Sequence, residues 1–161
     1  MVKGFSLTQI GLHWITALLI LFNLIMSDDM SALWRQMEQT GPQAMTTGAL
    51  LHIVAGVVVL ALVAWRLVLR FTRGVPDAPA GESAVQKLAA AAVHVLLYVL
   101  MIGLPVSGLL AFYGGFDSLA DLHAEVLKTL LWVLIAAHVA AAFYHHFVLK
   151  NGLLNRMRKP G

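Results

Sequence analysis

The stretch LADLHAEVLKTLLWVLIAAHVAAAFYHHFVL, residues 119–149, decides how the whole chain is read. At ~1.5 Å per residue, a helix of this length exceeds the ~30 Å hydrocarbon core of a bilayer. Its composition is that of a membrane span, with one end reaching the head groups. Yet His123, His138 and His145 recur along it. Ionisable side chains inside a span are costly, and they face a partner, a cavity or a bound group.

Working outward, three more apolar runs, about residues 7–26, 48–69 and 88–112, also meet the ~20-residue length of a spanning helix. The first could be read as a signal peptide. However, it is longer than an ordinary signal core of roughly 7–15 residues, and no small-x-small pattern precedes Ser27-Asp28-Asp29. We read it as a span. The turn-rich segment from Gly74 to Gly81, which includes Ala80, separates the second and third runs. The expected fold is therefore all-α: an integral membrane four-helix bundle, forming one domain over residues 1–161. The 60% hydrophobic share agrees, since soluble domains hold about 45–50%.

Polar residues give the topology. In a four-pass arrangement Lys3, Arg66, Arg70, Arg73, Lys87, Lys150, Arg156, Arg158 and Lys159 gather on one side, with only Arg35 and Lys128 on the other. The positive-inside rule then puts both termini in the cytoplasm. Asp28, Asp29, Glu38, Asp117, Asp121 and Glu125 make the outer side acidic. The net charge of +3 flanks apolar runs and forms no single patch, which argues against nucleic acid as a partner. The chain has no cysteine, so disulfides, iron–sulfur clusters and covalent haem attachment are excluded. Within the third run, Gly103, Pro105 and Gly108 either kink the helix or let another body approach its backbone.

Six of the seven histidines, His13, His52, His94, His123, His138 and His145, fall in or at the ends of these runs. Each could be a hydrogen-bonded packing residue, but six in four helices point to a bound group. A bis-imidazole haem needs two neutral histidines at one depth on facing helices. His52 and His123 both lie near the outer starts of their helices. His138 follows His123 by fifteen residues, ~22 Å deeper and turned by ~60°. At that deeper level His138 can meet His13 or His94, and spacing does not choose between them. His145 lies two turns beyond His138, on the same face, where it suits a propionate or a quinone. Gly56, one turn after His52, leaves room either for a flat macrocycle or for a helix contact. Arg66 and Arg70 suit inner haem propionates or act as inside-positive anchors.

Taken in order, these residues resemble the bacterial cytochrome b-561 family, and through it the di-haem b subunits of membrane hydrogenases and formate dehydrogenases. The marks are Leu12-His13-Trp14, Leu51-His52 with Gly56, Trp65-Arg66-Leu67, His94, Leu104-Pro105-Val106-Ser107-Gly108, Leu122-His123, and Ala137-His138 with Ala142 through His146. They extend over nearly the whole chain. The resemblance implies two haem b groups in a bacterial inner membrane, with His52 and His123 ligating the outer iron and His13 and His138 the inner one. It further implies electron transfer between a periplasmic donor and membrane quinone, ubiquinone by expectation. One branch of the family is similar to a superoxide:quinone oxidoreductase. In the other reading the chain is a carrier subunit serving a protein partner, such as a dehydrogenase or a basic cytochrome c, the latter suited to the acidic outer side. A histidine-lined metal or proton transporter is the third class, and it lacks intramembrane carboxylates.

Overall fold

The computed structural model describes residues 4–79 and 81–161. Lys3, counted above among the cytoplasmic cations, and Ala80 of the turn-rich segment lie outside the described residues. Among the described residues, regular structure is helical throughout: α1 Leu7–Ile25, α2 Asp28–Thr40, α3 Thr47–Arg73, α4 Ala84–Gly114 and α5 Asp117–Val148. A 3-10 turn, Leu153–Met157, follows. α1, α3, α4 and α5 are long and apolar enough to cross a membrane, so the four expected spans are present.

Capping chemistry explains why their ends lie beyond the apolar runs. Ser6 and Ser83 each close a capping box, with Gln9 and Gln86 respectively, and Thr46 accepts the N–H of Ala49. Each satisfies N–H groups that the first turn of a helix leaves free. α3 stops at Gly74, whose φ of +76° suits glycine, and the glycine N–H returns to Arg70 O. α4 continues through Pro105 to Gly114.

α2 is an addition to the expected architecture. Met30, Leu33, Trp34 and Met37 recur at helical spacing, Leu33 is buried, and Asp28 and Asp29 occupy the first turn, where the helix dipole favours anions. A search for apolar runs misses such a helix because only one face is apolar.

α3 packs against α1, α2 and α4, and α5 packs closely along α4. Val59, Val63 and Met101 form a buried centre, covered by Leu19, Ile20, Leu67, Leu97 and Tyr98. Apolar side chains such as Leu18, Phe71 and Val133 point outward, as they must where lipid is the solvent and backbone polar groups are satisfied within each helix. At the end away from α2, the C-terminal segment folds back over the bundle. Trp14 Nε1 donates to Met157 O at 2.8 Å, Arg156 Nη1 donates to Asp77 O at 2.5 Å, and Gly161 N donates to Phe5 O at 3.3 Å.

Candidate functional site

The histidines meet at two levels, with the Val59–Val63–Met101 centre between them along α3 and α4. At the α2 end, His52 from the second turn of α3 faces His123 from α5, with ring centroids 6.2 Å apart. At the other end, His13 from α1 faces His138 from α5, also at 6.2 Å. Two imidazoles on opposite sides of one metal, each bonded at ~2 Å, put their ring centroids roughly 6 Å apart. Both pairs have the spacing of an axial ligand set.

His123 is held by α4. Its Nδ1 lies 2.9 Å from Leu104 O and 3.3 Å from Ser107 Oγ. A carbonyl only accepts, so Nδ1 carries the hydrogen and Nε2 keeps its lone pair. This is how ligating histidines are usually oriented. The ring approaches so closely because residue 108 is glycine: a Cβ there would lie 3.0 Å from His123 Cε1. Of the two expectations for the Gly103–Gly108 segment, close approach by another body holds at Gly108. Gly56 borders the open space beside His52, where an added Cβ would make only an ordinary 3.7 Å contact with Asn23 Nδ2.

His123 also lies in a π-helical stretch, Leu122–Leu127, in which the N–H of Lys128 bonds to His123 O. An i→i+5 turn is rare and recurs at functional sites. A second such stretch, Tyr144–Val148, holds His145. Neither is written in the apolar pattern.

His52 and His123 open on a cavity of about 380 Å³. Asn23 lines it too and donates through Nδ2 to His52 O at 3.2 Å. Asn23 Oδ1 and His52 Nδ1 are both buried without a partner among the described residues. Buried polar atoms are normally satisfied, so orphaned ones bordering a cavity fit a space made for an occupant. A flat group with two axial positions suits this donor set.

The second level is more crowded. Arg66 Nη2 lies 3.2 Å from His13 Nδ1, and its guanidinium stacks 5.6 Å from the centroid of the Tyr98 ring. Guanidinium only donates, so His13 Nδ1 accepts and the hydrogen sits on Nε2. Ligation through that nitrogen requires Arg66 to move off. His94 also reaches His138, at 5.2 Å and edge-on, while its Nδ1 donates to Ala90 O at 2.6 Å. That separation is short for two imidazoles on opposite sides of a metal. Spacing thus favours His13 as the partner of His138, and the hydrogen-bonded tautomer favours His94. Arg70 lies one turn beyond Arg66. His145 Nδ1 turns instead to Asn151 Nδ2 at 2.7 Å and lies 3.3 Å from Glu82 Oε1.

Compared with known proteins, residues 4–160 match the family described as prokaryotic cytochrome b561. The chain belongs to that family. It is 36% identical to a cytochrome b562 of Cereibacter sphaeroides, over 98% of this chain and 96% of that one. It is 31% identical to cytochrome b561 homolog 1 of Escherichia coli, over 95% and 96% of the two chains. A probable superoxide oxidase, CybB, of Yersinia pestis is 26% identical over 96% of each. As a member of the cytochrome b561 family, the protein is a multi-pass bacterial membrane protein of electron transfer, and membership implies haem b.

Several residues around the cytochrome's histidines were not singled out for this role by the sequence reading. Asn23 is a polar residue inside a span, which is itself a signal. Leu104 acts through its carbonyl, which no side-chain pattern reports. Arg35 and Lys128, read above only as outer charges, line the same cavity as His52 and His123.

Proposed function

We propose that this cytochrome carries electrons across the bilayer through two haem b groups, from a donor at the outer face to membrane quinone, by expectation ubiquinone. His52 and His123 hold the outer iron, and His13 and His138 the inner one. The observation that carries this reading is the pair of 6.2 Å histidine separations at opposite ends of the bundle. Haem supplies a one-electron centre at each level when bound, and the residues do the rest. Leu104 O fixes the His123 tautomer, Arg66 supplies a cation beside the inner pair, and the apolar centre keeps water from the space between. With few cations at the α2 end and many at the other, the positive-inside rule supports cytoplasmic termini and an outer-facing His52–His123 level.

The donor separates two versions of this function. Acidic residues near the outer level favour a cationic protein such as a basic cytochrome c, while the name of the Yersinia relative favours superoxide. The test is pyridine-haemochrome stoichiometry of purified wild type, His52→Ala and His123→Ala, followed by electron transfer from an external donor to quinone in proteoliposomes. Two haems in the wild type, one in each variant and no transfer in either variant are expected. Two haems retained in either variant would overturn the assignment.

A further inference from the structure

The outer cavity holds more than its histidines. Arg35, on α2, and Lys128, on α5, both line it. Among the described residues they are the only Lys or Arg at that end of the bundle. Three carboxylates, Glu38, Asp121 and Glu125, border the same space, yet among the described residues neither cation lies within ion-pair distance of any of them. Glu38 is engaged elsewhere, accepting from Trp34 Nε1 at 3.0 Å.

Both cations reach the cavity through features that need explaining. In a regular α-helix, residues five apart point ~140° away from each other, so Lys128 would be turned from His123. The π turn, with Lys128 N–H bonded to His123 O, brings the two into register along one face of α5. Arg35 arrives on α2, which spans nothing and packs against α3, the helix that carries His52. Two separate departures from a plain four-span bundle thus deliver one cation each to a space that two histidines already share.

We propose that Arg35 and Lys128 are the counter-charges for the two carboxylates of the outer haem, and that α2 is the cover that carries Arg35 over it. This rests on the assignment of a haem to His52 and His123. Two propionates brought into a partly buried space need charged donors. A cation held near the iron also favours its reduced form, because reduction adds negative charge.

The experiment uses the full-length haem-loaded protein, with Arg35→Gln, Lys128→Gln, the double variant, Arg35→Lys, and Lys87→Gln as a charge control at the far end. Spectroelectrochemistry follows the haem that His52→Ala removes, and transfer to apomyoglobin measures how firmly it is held. Each single Gln variant should shift the outer haem about tenfold toward the oxidised form, which is 59 mV for one electron. The double variant should lose that haem fastest. Arg35→Lys should restore most of the potential, and Lys87→Gln should change nothing. Unaltered outer potential and haem retention in both Gln variants would overturn the proposal. So would a wild-type outer potential that rises on removal of chloride or sulfate and no longer does so in Arg35→Gln, because the cations would then serve an anion from solution. If His52→Ala removed no haem, the histidine assignment itself would fall and take this proposal with it, whatever the cation variants showed.

Discussion

Gly108→Ala separates a functional glycine from a packing one, because the two readings predict opposite signs. In a helix interior, replacing glycine with alanine normally stabilises by about 0.5–1 kcal/mol. Here the new methyl would sit 3.0 Å from His123 Cε1 and 3.1 Å from Nδ1, well inside the ~3.5–4.0 Å of a relaxed carbon contact. The ring must withdraw from α4 by roughly half an ångström. Leu104 lies one turn before Gly108 on the same helix, so withdrawal also stretches the 2.9 Å bond from His123 Nδ1 to Leu104 O. Overpacking costs about 1–3 kcal/mol, and a weakened hydrogen bond adds about 1. Together they outweigh the helix gain by roughly 1–3 kcal/mol, or about 10–100-fold in haem affinity at tenfold per 1.4 kcal/mol. Loss of a partner that orients a ligating histidine typically costs the same range. Pyridine-haemochrome counts on membranes, with apomyoglobin competition to rank retention, should show selective loss of the outer haem. A Gly108→Ala protein that kept both haems at wild-type affinity would refute the reasoning that ties Gly108 to His123.

Three further outcomes follow from the same geometry. His94→Ala should keep bis-histidine spectra while changing the inner haem's potential or quinone turnover, and His13→Ala should lose the inner haem; the opposite result, read by low-temperature difference spectra, would make His94 the ligand. Ser107→Ala removes the 3.3 Å contact with His123 Nδ1 and the 3.0 Å bond from Ser107 Oγ to Leu104 O, but leaves that carbonyl free to accept from His123, so outer haem content should be unchanged and the potential should move by less than in Gly108→Ala. Reduction by a basic cytochrome c should slow as salt shortens the Debye length to ~10 Å at 0.1 M, whereas near-diffusion-limited, catalytic reduction by superoxide in the same stopped-flow series would establish the enzyme reading.

The spans were legible because each is an apolar run of bilayer length, and a lipid environment makes such runs nearly unambiguous. Their ends were less so, since Ser83 and Gly74 extend the helices with polar or flexible residues that an apolar count discards. α2 was present in the sequence as Met30, Leu33, Trp34 and Met37, followed by Gly41, but a one-faced pattern among acidic residues reads as a loop beside four strong spans. The pairing of His52 with His123 was legible from depth alone. The choice between His13 and His94 was not, because both enter from the same side and only helix order around the bundle sets which faces His138 at 6.2 Å.

What no residue pattern records is the turn geometry of α5. His123 and His138 are fifteen residues apart, which in a regular α-helix turns one by ~60° from the other. The π stretch at Leu122–Leu127 adds one residue to a turn, so the remaining offset corresponds to fourteen regular residues, ~40° in the opposite sense. Either angle keeps both imidazoles on one half of the helix. Only the widened turn also brings Lys128 to the His123 face, so the ligand positions tolerate a regular helix while the cation beside them does not. A substitution series that converts this turn to a regular helix should therefore retain histidine ligation after local repacking but lower the outer haem's potential. That pattern assigns the π turn to electrostatics and leaves haem attachment to His52, His123 and the backbone of Leu104.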